Sequence, residues 1–211
     1  MLVRVSFPGY SLRTGVVNSQ NSFLACAFHF DNPIFIRSLP MEWRIVDEDV
    51  FMKQIAVIGS SGPITSEVYK LAEEIGGAIA SAGVVLITGG RGGVMEAASK
   101  GAKKNRGLTV GILPGIEEDA NPYVDVVIVT GMGDARNVIN VRSANAVIAV
   151  NGGAGTLSEI GHALKAGKRV IALRHSGGVA ESMAGAVIDG GTILSADSAG
   201  EAVELALEKL A

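Results

Sequence analysis

From Met52 onward the chain alternates short runs rich in Val, Ile and Leu with longer stretches whose apolar residues recur at helical spacing, and this alternation limits the fold more than any other feature. The runs are Ile55–Ile58, Val84–Thr88, Thr109–Leu113, Val124–Val129, Ala146–Val150, Val170–Leu173 and Thr192–Leu194. Between them Val68, Leu71, Ala72, Ile75, Ile79 and Ala82 follow a helical period, and Val203, Leu207 and Leu210 repeat it near the C-terminus. Strands that are apolar on both faces need cover on both, and alternation with helices implies right-handed crossovers within one parallel sheet. The expected architecture is α/β: a doubly wound, mostly parallel, Rossmann-like sheet of about seven strands with helices on both faces. Ligands of such sheets bind beyond the carboxyl ends of the strands, so the turns that follow the strands are where function is sought.

Composition divides the chain near Met52. All six Phe, the one Trp (Trp43) and the one Cys (Cys26) lie in residues 1–51, whereas only Gly9 and Gly15 of the 28 glycines do. Residues 1–51 show neither helical nor strand periodicity, and are expected to be an N-terminal extension, either a poorly ordered arm or the product of a start codon placed too early. Residues 52–211 are then the Rossmann-like nucleotide-binding domain. The apolar run Phe23–Phe28 is too short and too far in for a secretory signal, and no stretch approaches the roughly 18 apolar residues of a membrane span. A lone cysteine excludes an internal disulfide and fits a reducing compartment, so a cytoplasmic location without membrane partners is expected. The net charge of -3 lacks the basic footprint of a nucleic-acid binder.

Three glycine turns follow strands: Gly59-Ser60-Ser61-Gly62, Gly89-Gly90-Arg91-Gly92-Gly93 leading into Val94, and Gly152-Gly153-Ala154-Gly155-Thr156. Glycine lets the backbone approach a ligand closely, and the first amides of a following helix carry partial positive charge, so such turns bind anions. The candidate ligand-binding residues are Gly59, Ser60, Ser61, Gly89, Gly90, Gly92, Gly93, Val94, Gly152, Gly153, Gly155 and Thr156. No Gly-Lys-Ser/Thr follows, which excludes a Walker A loop. A dinucleotide fingerprint fits poorly: Gly153-x-Gly155-x-x-Ser158 is a near match, and Arg174 and His175 stand where an acidic ribose ligand belongs.

Thr156-Leu-Ser-Glu159 admits two readings. One is a capping box in which Thr156 and Glu159 satisfy each other's amides; the other is a carboxylate in a ligand-binding helix that orients a sugar hydroxyl, activates water or stabilises charge at a sugar carbon. Upstream, Arg136 and Arg142 are six residues apart, about 240° around a helix, so at most one faces the site, where it would grip a phosphate. His162 and His175 share no metal spacing, and the isolated Glu159-x-x-His162 is not a metal motif, so no metal is expected. Lys165 and Lys168 are ordinary residues of a helix end and supply no Schiff-base chemistry.

Arg136 followed by Gly-Gly-Ala-Gly-Thr-Leu-Ser-Glu159, together with Thr88-Gly-Gly-Arg-Gly-Gly-Val-Met95, resembles the LOG, or lysine-decarboxylase-like, superfamily (SLOG) over about residues 53–210. Its signature is Pro-Gly-Gly-x-Gly-Thr-x-x-Glu with an arginine upstream. The resemblance implies release of free base from a nucleoside 5′-monophosphate, with Glu159 assisting water at the ribose C1′, Arg136 holding the substrate and the glycine turns binding the phosphate. No cofactor is required for that reaction. Asn151 replaces the signature proline, and Gly133-Asp-Ala-Arg136-Asn137 replaces Met-His-x-Arg-Lys. Those departures resemble a sister branch of short proteins that includes molybdenum-cofactor carriers, which implies a bound nucleotide or molybdopterin-type ligand without turnover. Binding is therefore the leading expectation and phosphoribohydrolase activity the alternative. Both branches imply a homo-oligomer, a dimer or dimer of dimers, and a small phosphorylated ligand as partner.

Overall fold

The computed structural model describes residues 52–208, so the expectation for residues 1–51 lies outside the described residues. Among these residues eight strands form one sheet: β1 (Gln54–Gly59), β2 (Val85–Thr88), β3 (Thr109–Leu113), β4 (Val126–Val129), β5 (Ala146–Val150), β6 (Arg169–Leu173), β7 (Val187–Ile188) and β8 (Gly191–Ala196). Their spatial order is β4-β3-β2-β1-β5-β6-β8-β7. Every pairing is parallel except β7 with β8.

All seven expected strands are present, two of them with the expected ends and five with ends shifted by a residue or two. The eighth, β7, is too short to show a period. It is joined to β8 through Asp189 and Gly190, both at positive φ (49° and 80°), the backbone that a two-residue hairpin turn requires.

Among the described residues six α-helices cover the sheet: α1 (Ser66–Ser81), α2 (Val94–Lys104), α3 (Arg136–Arg142), α4 (Ala154–Lys165), α5 (Gly178–Met183) and α6 (Ala199–Leu207). The alternation of side chains along each strand sorts them into two cores. Ile55 and Val57 of β1 pack with Ile75 of α1, Val94 of α2 and Val203 of α6 on one face. Ala56 and Ile58 face the other way, towards Val141 of α3, Ile160 of α4 and Ala180 of α5. At roughly 25 cal/mol per Å² of apolar surface buried, two such cores hold the sheet from both sides, and the strand ends are left as a rigid rim.

Candidate functional site

Chain order in the sheet reverses between β1 and β5: β1 to β4 run outward in one direction, and β5 to β8 in the other. Because β2, β1 and β5 are neighbours and parallel, the three glycine turns leave the same edge of the sheet at its topological switch point. Gly59 pairs in register with Val150, and a Cβ there would overlap the Val150 carbonyl, so the first and third turns start side by side.

The turns differ in what they leave free. The first does not run into a helix: Pro63-Ile-Thr65 intervene, and the Thr65 hydroxyl accepts from the Val68 amide and caps α1 itself. What it offers is Ser60, Ser61 and the chain around them, with the Ser60 hydroxyl accepting from the Gly62 amide at 3.3 Å. In the second turn Gly90 is buried, its amide donating to Thr88 Oγ1 and its carbonyl accepting from Asn121. Val94 is likewise removed from the ligand-facing set, because its side chain is fully buried and its amide donates to the Ser60 carbonyl at 3.0 Å. That bond ties the first turn to the second. Gly93, at φ 63°, makes the close approach possible, since a Cβ there would lie 2.7 Å from the Gly62 carbonyl oxygen.

No side chain caps α2 or α4. Apart from the Val94 amide, the first-turn amides of both helices therefore lack the partner that a cap supplies, and the positive ends of both dipoles meet the rim. In the third turn Gly153 and Gly155 are exposed, and a Cβ on Gly153 would meet nothing. Gly152, at φ 89°, is held instead: its amide donates to Asn151 Oδ1 at 2.7 Å and its carbonyl accepts from Val179 of α5 at 3.0 Å.

The capping-box reading of Thr156-Leu-Ser-Glu159 fails. The helix starts at Ala154, so Thr156 is its third residue rather than its cap, and the Thr156 side chain folds against Gly152. Glu159 is free to face α3. It is 7% exposed, and Asn140 Nδ2 donates to its Oε1 at 2.9 Å. Burial pushes the Glu159 carboxyl up to about 7, outweighing the Asn140 bond and the positive charge of Arg136.

Arg136 opens α3 and turns inward, 8% exposed, while Arg142 at the other end is exposed, as the helical spacing requires. Its Nη1 donates to the Ile112 carbonyl at 2.7 Å, and its guanidinium lies on Gly89, where any Cβ would overlap it. This explains why residue 89 is glycine. Burial depresses the pKa of Arg136, Glu159 opposes that, and Arg91 adds to it. Arg136 and Glu159 thus feel each other's charge without forming an ion pair.

Asn140 was not among the sequence candidates. The available signal was its place four residues after Arg136, which puts both on one face of α3. Arg91, Asp119 and Asn121 also stand beside the turns, which their sequence pattern does not signal. Asn121 latches the loop after β3 onto the second turn through the carbonyls of Gly90 and Arg91, and Arg91 pairs with Asp119 at 2.9 Å. Between this loop and the first two turns is a cleft of about 420 Å³ bordered by Ser61, Arg91, Gly92 and Glu96. Among the described residues no three His, Cys, Asp or Glu side chains are placed to hold a metal ion, and no helix is long and apolar enough to cross a membrane.

The family model described as SLOG cluster4 matches residues 52–203. Among solved structures, the chain is similar to the molybdenum cofactor binding protein of Rippkaea orientalis, with 42% identity and a TM-score of 0.68 over 74% of this chain and 96% of that one. The molybdenum cofactor carrier protein of Chlamydomonas reinhardtii is 37% identical, with a TM-score of 0.64, over 72% and 94% of the two chains. A cytokinin riboside 5′-monophosphate phosphoribohydrolase of Mycobacterium marinum is 36% identical over 110 residues, 50% of this chain and 59% of that enzyme, so the match spans less than two thirds of the enzyme's length.

Proposed function

The chain belongs to the SLOG cluster4 family, and from that premise we propose that it binds a phosphorylated pterin of the molybdenum-cofactor type as cargo, without turning it over. The observation that carries this is the rim itself: the uncapped starts of α2 and α4 flank the first glycine turn at the switch point of the sheet. Main-chain amides and helix dipoles supply a receptor for a phosphate, and the cleft beside Arg91 supplies room for the remainder of a small ligand. The carrier and binding proteins named above are matched over nearly their whole lengths, which favours this reading.

A second reading is favoured by Glu159. A buried carboxyl that ionises near 7 is poised to take or give a proton at neutral pH, which suits a general base for water attack at a ribose C1′, with Arg136 beside it. The likeness to the mycobacterial phosphoribohydrolase supports it over half the chain.

Residues 52–211 are read as the binding unit and 1–51 as an extension, which the limits of the family match support. The apolar side chains of Val126, Ile128 and Val129, exposed along the edge strand β4, support a homo-oligomer, because such an edge invites pairing.

Native mass spectrometry of the purified protein, followed by incubation with nucleoside 5′-monophosphates and chromatography for free base, separates the two. A retained pterin with no base released is the expected result. Base release that disappears in Glu159→Ala establishes the hydrolase instead, and a protein that holds neither pterin nor nucleotide nor inorganic phosphate sinks both.

A further inference from the structure

The two uncapped helix starts on the rim differ in charge. The first turn of α4 contains no acidic residue, whereas the first turn of α2 carries Glu96, the third residue of its helix. In a capping box a glutamate at that position reaches back to the amide of the residue before the helix. Glu96 does not do so. Among the described residues no hydrogen bond or ion pair engages its half-buried carboxylate, and its Oε2 lies over Gly92, 3.8 Å from where a Cβ would stand. Gly92 and Glu96 both border the cleft of about 420 Å³ between the first two turns and the loop after β3. The guanidinium in that cleft, Arg91, is held by Asp119 at 2.9 Å, and Asn121 pins the loop that carries Asp119.

We propose that this cleft reads the neutral ring of the ligand, Glu96 accepting from a ring N–H and the amino group next to it while Arg91 donates to the carbonyl on the other side. This rests on the reading of the rim as a phosphate receptor and adds which end of the ligand meets which helix. Arg91 spends Nη2 on Asp119 and keeps further N–H groups for a ligand, so Asp119 is a positioning residue. Glu96 keeps both carboxylate oxygens.

A phosphate in the cleft would meet two carboxylates for one guanidinium, and an ammonium group would have the guanidinium against it. The lining favours a neutral group that both donates and accepts. The amino-lactam edge of a guanine or a pterin has that pattern, a C=O, an N–H and an NH2 in a row, and a carboxylate takes the last two together. Glu96 also sets a negative charge at the start of α2, which disfavours an anion there, so the phosphate goes to the exposed amides after Gly153 at the start of α4. The ligand is thereby laid across the rim in one direction.

Isothermal titration of the full chain with matched probes tests this and separates the two sources of the edge. The guanine arm compares GMP with IMP, which lacks only the amino group. The pterin arm compares 6-hydroxymethylpterin with its 2-oxo counterpart. One hydrogen bond to a charged group corresponds to about a tenfold preference or more. The expected result is that preference for the amino-bearing member in at least one arm, the tighter arm naming the source, and its fall towards one in Glu96→Ala. Wild-type protein that discriminates in neither arm overturns the proposal, whether or not a variant folds. Discrimination that survives in Glu96→Ala overturns it too. A preference for AMP over 2′,3′-dideoxyadenosine 5′-monophosphate with none between GMP and IMP would assign Glu96 to a sugar diol instead. A gain of about tenfold in affinity for inorganic phosphate in Glu96→Ala would put the phosphate beside α2 and reverse the orientation. Failure of the wild type to bind inorganic phosphate or any phosphorylated probe refutes the phosphate receptor itself, a failure distinct from all of these.

Discussion

Replacing Glu159 with Gln should stabilise the fold, and by an amount that depends on pH. Glu159 ionises near 7 in the folded protein against 4.5 for an unperturbed glutamate, because burial disfavours its charge more than Asn140 and Arg136 favour it. Between those values the folded chain holds a proton that the unfolded chain has released. Stability therefore falls as pH rises from about 4.5 through 7, and levels off above about 8. Converted at 1.36 kcal/mol for each tenfold change in acidity, the loss is about 3 kcal/mol, a sizeable part of the ~5–15 kcal/mol that holds a domain together. Glutamine has nearly the same shape, can still accept from Asn140 Nδ2, and carries no charge to desolvate.

Urea unfolding followed by far-ultraviolet circular dichroism at pH 5, 6, 7 and 8 would measure this. Other titrating groups contribute alike to both proteins and drop out of the difference. Glu159→Gln should lie within about 1 kcal/mol of wild type at pH 5 and exceed it by about 2–3 kcal/mol at pH 8. A difference that stays constant across the range, or a wild type that is the more stable at pH 8, would mean that Glu159 sits ionised and satisfied in the fold, and the case for a proton-exchanging carboxyl would go with it.

Two further substitutions probe the supports of the site. Gly89→Ala needs no unusual backbone, yet its Cβ would overlap the Arg136 guanidinium and lie 2.6 Å from Met95 Sδ. The guanidinium should be displaced from the Ile112 carbonyl at a cost of about 1–3 kcal/mol, with at least a tenfold loss of nucleotide affinity by titration calorimetry while the far-ultraviolet spectrum is unchanged. Asn151→Pro restores the residue of the wider family signature, yet should destabilise this chain by about 3 kcal/mol or more in denaturant unfolding. Asn151 stands at φ 54°, which a pyrrolidine ring forbids, and its amide donates to Ser176 Oγ at 2.9 Å. A variant as stable as wild type would show that the third turn follows another path.

Much of the fold could be read from the residues because its strands are buried on both faces and so appear as plain apolar runs. Thr109–Leu113 and Ala146–Val150 match the observed strands end to end. The two-residue β7 could not be found by periodicity, although Asp189-Gly190 was a turn signal in plain view. Local patterns were less dependable at the site, where tertiary contacts decide. Thr156-Leu-Ser-Glu159 has the spacing of a capping box, but the bonds of Asn151 and Gly152 to Ser176 and α5 set where the third turn ends, and the helix begins two residues before the threonine. The glycine pattern leaves Val94 as a free first-turn amide, because nothing in the sequence signals the Ser60 carbonyl 3.0 Å away. Asn140 carries no charge and belongs to no motif, so only the packing of α3 against α4 reveals its bond to Glu159.

The departures from the wider signature gain a physical meaning in this light. A proline before the third glycine turn would stiffen that turn through its own ring. Here the stiffness comes from side chains: Asn151 Nδ2 donates to the Ser176 carbonyl at 2.8 Å, Asn151 Oδ1 takes the Gly152 amide, and Ser176, itself 1% exposed, anchors its hydroxyl to the Leu173 carbonyl. Gly178, at φ 62°, lets the start of α5 press against the Gly152 backbone. The path of the exposed amides after Gly153 is thus set by the loop between β6 and α5. A turn held from the side in this way is fixed before any ligand arrives, so little ordering is lost on binding, which favours retention of a cargo. The carboxyl of Glu159 lies one turn further along α4 and is held from α3, by the Asn140 amide at 2.9 Å. The third turn is thus held by the loop before α5, and Glu159 by Asn140 of α3.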